Sequence, residues 1–331
     1  MTEIEQEIQQ DDVVLPFRAV KSGINGRLVR IGSAVDVVLS RHNYPEPVAR
    51  VLGEALTLAA MLGAALKFQS KLIIQTKTDG PIDFLVVDYV APGAIRGYAS
   101  FDEKRVSEWQ ALGRDDQGAL LGKGHMAMTI DPADQDMSRY QGVVALENDR
   151  LLDAAHTYFK QSEQLPTFAT VAIAKHYVKD GTEGGNGEGR GEWHWRAGGL
   201  IVQNLASQGG IQDESADAQA AREEAGLLFG EDDDDWARVR LLSSTVEDHE
   251  LLDPLLSSED LLYRLFHEEG IRTFDPHALE AKCQCSRARI ENIIGQFSAD
   301  ELEAMRDEQG NVVVTCEFCT ARYIFEAPDL G

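Results

Sequence analysis

All four cysteines of this 331-residue chain lie in its last fifty residues, in the motifs Cys283-Gln-Cys285 and Cys316-Glu-Phe-Cys319. Thirty residues separate the two motifs, and the first 282 residues contain no thiol. Close pairs of cysteines at such spacings are typical of a four-ligand metal site. Zinc fits four thiolates best, because it binds tetrahedrally, and a filled site is structural rather than catalytic. The cysteines therefore predict a zinc-stabilised unit near the end of the chain.

Three other interpretations of the cysteines stay open. Two disulfides would suit a secreted protein, but the acidic N-terminus lacks the basic and then apolar order of an export signal. Four unrelated thiols would not be expected to fall into two close pairs. A thioredoxin-type redox pair is expected to open a helix after a strand, whereas a strand-like run, residues 321–325, follows Cys319.

Charge argues against a nucleic-acid partner. The chain has 31 Lys and Arg against 56 Asp and Glu, a formal net charge of -25. Such a polyanion does not bind by neutralising phosphates, and acids surround the few basic residues near the cysteines. The longest uncharged apolar stretch, residues 55–66, is too short to span a bilayer. We therefore expect a cytoplasmic protein without a nucleic-acid or membrane partner.

Changes of pattern along the chain divide it into three parts. Residues 1–207 alternate strand-like and helical patterns and predict an N-terminal α/β core domain. Residues 208–274 form an acidic, leucine-containing linker region. Residues 275–331 form a C-terminal zinc-binding domain, and at roughly 55 residues a unit of this kind often needs a metal. The predicted fold class is α+β: a mixed sheet-and-helix core, a helical acidic linker and a small zinc domain.

Local periodicity predicts the elements of the core. The strongest helix begins at Pro45-Glu46-Pro47 and carries an apolar stripe to Leu66. A glycine-rich run at 181–191 lacks the spacing of a phosphate loop and predicts a flexible hairpin insertion. Further strands are predicted at residues 17–31, 72–76, 84–89, 94–101, 126–131, 141–146, 167–175, 199–204 and 311–315, and further helices at 36–39 and 151–163.

The linker region combines negative charge with apolar residues. Residues 206–260 contain sixteen Asp and Glu, three Arg and no Lys. The charge alone would indicate a solvated spacer. The apolar residues come in doublets and triplets and instead favour marginal helices that need a surface to pack on. They are Leu227, Leu228, Phe229, Leu241, Leu242, Leu251, Leu252, Leu255, Leu256, Leu261 and Leu262.

Several motifs together resemble the redox-regulated heat-shock holdases, the thirty-three-kilodalton bacterial chaperonin family. The resemblance covers most of the chain, and the glycine-rich run and the long acidic linker depart from it. The motifs are Asn43-Tyr44-Pro45-Glu46-Pro47-Val48, Thr78-Asp79-Gly80-Pro81, Arg139-Tyr140-Gln141-Gly142-Val143-Val144, Tyr158-Phe159-Lys160-Gln161-Ser162-Glu163-Gln164-Leu165-Pro166-Thr167, Ala197-Gly198-Gly199, Leu262-Tyr263-Arg264-Leu265-Phe266-His267-Glu268-Glu269 and the two cysteine motifs.

The resemblance implies an ATP-independent chaperone that is inactive while reduced and zinc-bound. Oxidants such as peroxide at elevated temperature or hypochlorous acid would switch it on. It implies that Cys283, Cys285, Cys316 and Cys319 hold zinc in the reduced form, and that oxidation pairs Cys283 with Cys285 and Cys316 with Cys319. The implied partners are unfolded or partly unfolded client proteins and, when oxidised, a second copy of the chain. No residue pattern identifies the client-binding surface.

Two other function classes compete with a chaperone. A zinc enzyme needs an open ligand position and a nearby general base, and neither an HExxH motif nor a Gly-x-Ser-x-Gly nucleophile motif occurs. We therefore expect no enzymatic activity. A static zinc-stapled protein-interaction module would use the same four ligands, so it stays the alternative function.

Overall fold

A computed structural model describes residues 11–67, 69–113, 116–134, 138–179, 191–205 and 234–326. The strands are β1 (Val13–Ala19), β2 (Asn25–Ile31), β3 (Lys71–Thr78), β4 (Ile82–Val90), β5 (Ala94–Phe101), β6 (Lys123–Asp131), β7 (Tyr140–Glu147), β8 (Thr167–Lys179), β9 (Gly191–Gln203), β10 (Ile271–Thr273), β11 (His277–Ala278), β12 (Glu280–Ala281), β13 (Val312–Thr315) and β14 (Arg322–Phe325). The helices are α1 (Ser33–Ser40), α2 (Glu46–Gly63), α3 (Glu103–Ala111), α4 (Gly118–Leu121), α5 (Leu151–Tyr158), α6 (Asp234–Ser243), α7 (Asp248–Leu252), α8 (Ser258–Phe266), α9 (Arg287–Ile294) and α10 (Ala299–Ala304), and a π-helical turn follows α5 at Phe159–Glu163.

Two six-stranded sheets form the body of the molecule. The first has the order β10-β1-β2-β9-β8, with β11 also paired to β1, and the second has the order β12-β5-β4-β3-β6-β7. Their strand pairs are antiparallel except for β12 with β5, which is parallel. A separate two-stranded sheet joins β13 and β14. The mixture of sheets and helices is the α+β class expected from the sequence.

Helix α2 packs between the two large sheets. It carries Pro47 in its first turn, where a missing N–H costs nothing. Fourteen of its eighteen residues are buried, as expected for a helix that is apolar on most sides. It therefore joins the strands of both sheets into the larger apolar core. Within the described ranges, none of the helices, α2 included, has both the length and the apolar character needed to cross a membrane.

Two predictions about strands need correction. The strand predicted at 17–31 is two antiparallel strands, β1 and β2, because the chain reverses at Gly23 with φ +72°. The alternating pattern runs through this short turn and hides it. The strands predicted at 167–175 and 199–204 belong to one longer hairpin, β8 and β9. The predicted glycine-rich insertion lies, apart from Gly191 in β9, outside the described residues.

Three helices of the linker region dock on the outer face of the first sheet. Helices α6, α7 and α8 contribute apolar side chains to a second cluster, which the sheet completes with residues of β1, β2, β8 and β9. The apolar doublets of the linker are therefore supported by the N-terminal sheet. Leu241 and Leu255 stay exposed. The buried linker members are Trp236, Val239, Leu251, Leu261, Leu262, Leu265 and Phe266, whereas Leu227, Leu228 and Phe229 lie outside the described residues.

Arginines of the first sheet also bind the linker backbone. Arg30, only 2% exposed, donates to the carbonyl oxygens of Asp253 at 2.6 Å and Glu250 at 3.1 Å. Arg196 donates to the carbonyl oxygen of Leu252 at 3.0 Å. These carbonyls belong to the end of α7, where a helix leaves acceptors without helical partners and favours cations. The docking therefore depends on α7 being folded.

Residues 271–282, called the strap below, lead from the linker to the cysteines. The strap contains β10, β11 and β12, which pair with β1 and then with β5. Gly93 permits this approach, since a Cβ there would collide with the carbonyl of Ala278. The domain boundary predicted at 274/275 falls inside the strap, and the one at 207/208 lies outside the described residues. The three-domain division stays a prediction.

The unit that carries the cysteines has a small core. Helices α9 and α10 pack on the β13–β14 hairpin through five buried residues, with Val314 and Tyr323 partly buried beside them. The five are Ile290, Ile294, Leu302, Val312 and Phe325. A core of this size supplies little net stability by itself, so a metal is expected to contribute.

His156 predicts a pH dependence for the N-terminal body. Its Nε2 accepts a hydrogen bond from the backbone N–H of Ala169 at 3.0 Å, which ties α5 to β8, and burial lowers its pKa below 6.5. Neutral His156 therefore stabilises the fold above pH 6.5. This contribution is lost as the pH falls through 6.5 towards the lowered pKa of the folded state, by at most about 1.4 kcal/mol per pH unit.

Urea unfolding of the N-terminal body across this pH range measures the effect. His156→Gln should flatten the dependence, because the amide can accept the same hydrogen bond without titrating. His249→Gln is the matched control, since the His249 side chain is 74% exposed. An unchanged dependence in the His156 variant would contradict the assignment.

Candidate metal centre

The local fold presents the cysteines from two sides. Cys283 follows the strap directly, and Cys285 precedes Ser286, whose hydroxyl accepts the Arg289 N–H and caps α9. Cys316 and Cys319 lie in the turn between β13 and β14. There the Thr320 N–H donates to the Cys316 carbonyl at 2.8 Å, and the Cys316 N–H donates to the Ala321 carbonyl at 2.9 Å. The turn thus closes into a compact knuckle.

The four predicted ligand residues come together. All four sulfurs lie within 4.8 Å of one another, and each cysteine is half-buried. The sulfurs of Cys283 and Cys316 are 3.7 Å apart, and those of Cys285 and Cys319 are 3.3 Å apart. Zn–S bonds of about 2.3 Å place the sulfurs of a tetrahedral site roughly 3.8 Å apart. The cluster therefore fits a four-coordinate metal ion.

The thiols differ in acidity. Burial acts to raise the pKa of Cys283, but hydrogen bonds from Cys285, Arg96 and Cys316 outweigh it and lower the pKa to about 7. Burial, and then hydrogen bonds with the neighbouring sulfurs, together raise the pKa of Cys319 to about 12. Burial also raises the pKa of Cys316. The protein's own groups therefore favour a thiolate at Cys283 but not at Cys316 or Cys319. A bound cation is needed to hold all four cysteines as thiolates.

Tyr323 of β14 adds a hydrogen bond to the cluster. Its hydroxyl donates to the Cys285 sulfur at 3.2 Å. This hydrogen bond is the largest reason that the pKa of Tyr323 is raised to about 12. The hydroxyl therefore stays protonated and orients the Cys285 side chain by its hydrogen bond, as residues around a metal's ligands commonly do.

The N-terminal sheet also reaches the cysteines. Arg96 of β5 places Nη1 3.8 Å from the Cys283 sulfur, and its guanidinium carbon lies 4.0 Å from the centre of the Phe318 ring. The sequence does not predict a role for Arg96. A polar residue at an alternating position of a strand is expected simply to face outward. Phe318 lies between Cys316 and Cys319 and was visible as part of the motif, but nothing in the sequence indicates its partner.

Comparison with known proteins agrees with this architecture. The family model described as "Hsp33 protein" matches residues 12–326. The "33 kDa chaperonin" of Caulobacter vibrioides is 40% identical over 319 residues, which cover 96% of each chain. The "33 kDa chaperonin" of Azotobacter vinelandii is 35% identical over 309 residues, covering 93% of this chain and 89% of the relative.

A solved structure supports the fold independently. The crystal structure of the 33 kDa chaperonin from Thermotoga maritima superimposes with a TM-score of 0.65 and covers 96% of both chains. The sequence identity is 21%, so this likeness bears on the fold alone. Since the family model spans nearly the whole chain and the sequence relatives match at 35–40% identity, the chain belongs to the Hsp33 family.

Proposed function

We propose that this protein is a redox-regulated, ATP-independent holdase chaperone. Its four cysteines hold zinc in the reduced, inactive form, and their oxidation opens a surface that binds unfolding proteins. One observation carries the proposal: the four sulfurs lie within 4.8 Å of one another, in a unit joined by the strap to helices that cover an apolar sheet face. Membership of a family whose relatives are named chaperonins supports the chaperone class. The proposed role is binding, not catalysis.

Zinc, when bound, supplies roughly 10 to 16 kcal/mol of apparent free energy to a small structural unit and keeps its ligands as thiolates. The residues that would hold it are Cys283, Cys285, Cys316 and Cys319, which fit in number, chemistry and spacing. Whole domains have a net stability of about 5 to 15 kcal/mol, so loss of this term is enough to unfold a unit with a five-residue core.

Oxidation removes the ligands in pairs. From the family resemblance we propose disulfides between Cys283 and Cys285 and between Cys316 and Cys319. Each pair of thiolates gives two electrons to the oxidant, and a peroxide that accepts them with two protons leaves as two water molecules. A disulfide can be reduced again, unlike the higher oxidation states of sulfur, so the switch is reversible.

The linker converts this unfolding into a binding surface. The linker helices cover an apolar face that includes Leu15, Phe17 and Leu28 of the first sheet. If the strap detaches with the cysteine unit, α8 loses its C-terminal anchor. The freed leucines and the uncovered face would together offer apolar surface to unfolding clients. The acids of the linker would keep this open form in solution.

The remaining features of the proposal follow from the family. We propose that the oxidised form is a homodimer, that its partners are unfolded or partly unfolded proteins, and that it works in the cytoplasm without binding nucleic acid or membranes. The static zinc-stapled module is the competing function, and redox treatment separates the two.

Three measurements on one sample test the switch. Bound zinc, free thiols and suppression of client aggregation are measured in the full-length protein before and after mild peroxide treatment at elevated temperature, and again after reduction. We expect zinc and thiols to fall together while suppression rises, and reduction to reverse the thiol loss. Retention of zinc with no gain in suppression would establish the static module instead.

A further inference from the structure

The turn that holds Cys316 and Cys319 touches the N-terminal sheet with both of its inner residues. Phe318 lies under the Arg96 guanidinium, as described above. Burial, and then the neighbouring Glu317 carboxylate, raise the pKa of Tyr98, which places Glu317 against this residue of β5. Arg96 and Tyr98 are two residues apart on β5 and therefore lie on the same face of that strand. The cysteine unit thus contacts β5 through the turn between Cys316 and Cys319. The conformation of this turn depends on the state of the two thiols.

Arg96 is held in place from the other side by the sheet. Its Nε donates to the Asp88 carboxylate at 2.7 Å, directly across the β4–β5 pair, and Nη2 contacts the same oxygen. Asp88 is buried and also pairs with Lys71 at 2.9 Å. Two cations around one carboxylate leave a net charge of about +1. This net positive charge faces the cysteines, because Nη1 of Arg96 is directed at the Cys283 sulfur.

The cluster of thiolates complements that charge. Four thiolates around a divalent ion carry a net charge of about −2. After the two disulfides form, the four sulfurs have lost their charge, and the divalent ion leaves with its own. The site then presents no anion to Arg96. The turn that holds Cys316 and Cys319 changes conformation and no longer places Phe318 against the guanidinium.

We propose that Arg96 is a positioning residue that holds the cysteine unit on β5 only while the four sulfurs are anionic, and so converts their oxidation into release of the strap. The inference deepens the proposed redox switch and rests on it. The strap ends beside this contact: the Lys282 N–H donates to the Ile95 carbonyl at 3.0 Å, and the Glu280 N–H donates to the Gly93 carbonyl at 3.0 Å. Freed from Arg96, the strap would detach from this end towards α8.

Amide hydrogen exchange of the full-length, reduced, zinc-loaded protein tests the inference. The reporters are the strap amides of Glu280 and Lys282, compared with the amides of the β13–β14 hairpin. In Arg96→Met the strap amides should exchange at least about tenfold faster, a change equal to about 1.4 kcal/mol, because a charge-assisted hydrogen bond to a sulfur is lost. Both proteins are compared at zinc saturation, and hairpin protection should stay as in the parent. Arg96→Lys should recover part of the protection.

Two further arms separate docking from folding. Phe318→Leu leaves the Asp88 pair and all four cysteines in place and should also speed strap exchange. Arg105→Met is the matched control. It makes the same substitution at an arginine that donates to the carbonyls of Asp79 and Gly80 and not to a cysteine. About 1 M salt should speed strap exchange in the parent more than in Arg96→Met, because screening weakens a contact that depends on charge.

The exchange experiments test the docking role of Arg96 separately from the proposed redox switch. Parent-like strap exchange in both Arg96→Met and Phe318→Leu would overturn the inference. Equal loss of protection in the hairpin would also overturn it, because Arg96 would then stabilise the cysteine unit rather than its docking. If peroxide released no zinc and produced no aggregation suppression in the parent, the proposed function would fail, while exchange in the reduced protein would still decide whether Arg96 docks the unit.

Discussion

Valine in place of Gly198 is expected to let the reduced, zinc-loaded protein suppress client aggregation without any oxidant. Gly198 lies in β9 under helix α7. A Cβ at this position would collide with the Leu251 carbonyl group and come within 3.0 Å of the Leu251 side chain. The strand itself would accept valine, because β-branched side chains favour extended backbone. The collision therefore falls on the docked linker and not on the sheet.

A local collision should open the whole linker. Overpacking of this kind costs about 1 to 3 kcal/mol. Movement of α7 also withdraws the carbonyls that Arg30 and Arg196 bind. Helices α6, α7 and α8 have ten, five and nine residues, fewer than the roughly 12 to 15 that an isolated helix needs in water. Once displaced, they lack the support that keeps them folded.

Light scattering from a chemically unfolded client protein measures the effect, with and without peroxide. Binding of a dye specific for apolar surface should rise in parallel in the unoxidised variant. His176→Val is the matched control, because it introduces the same side chain at an exposed position of the same hairpin, away from α7. If unoxidised Gly198→Val were as inactive as the parent and bound no more dye, docking of the linker would not be what keeps the protein idle.

The parts of this fold that the sequence predicts are those with a local signal. Helix α2 has eighteen residues, an apolar periodicity and a proline in its first turn, so it is visible without its partners. The cysteine cluster is visible because metal ligands are few and their spacing is restricted. Both signals depend on residue types that ordinary surface positions rarely combine.

The strap and its contacts depend on distant partners and could not be predicted. Its strands have three, two and two residues, too few for an alternating pattern to register. Their conformation is imposed by the edges of β1 and β5 and by the space above Gly93. Arg96 is separated from Cys283 by 187 residues, and its outward position on β5 is equally consistent with a solvent-exposed side chain. The linker leucines predicted helices but not which surface would cover them.

Serine in place of Cys316 is expected to weaken zinc binding about a hundredfold or more and to destabilise the cysteine unit while leaving the two large sheets intact. A hydroxyl does not ionise at neutral pH and cannot replace a thiolate. If each of four ligands carries about a quarter of the roughly 10 to 16 kcal/mol of a structural site, the loss is about 3 kcal/mol, or about a hundredfold or more in the zinc dissociation constant. The five buried residues around Phe325 cannot offset this loss.

Zinc competition with a chelator and amide exchange together measure the two effects. Protection should fall in β13, β14 and α9 but persist in β3, β4 and β6, because α2 and the larger core hold those strands independently of the cysteines. Thr315→Ser is the matched control: it lies next to Cys316, is exposed and leaves all four thiols in place. A Cys316→Ser protein that held zinc as tightly as the parent would show that Cys316 is not a ligand, and the remaining three sulfurs would then define an open site with different chemistry.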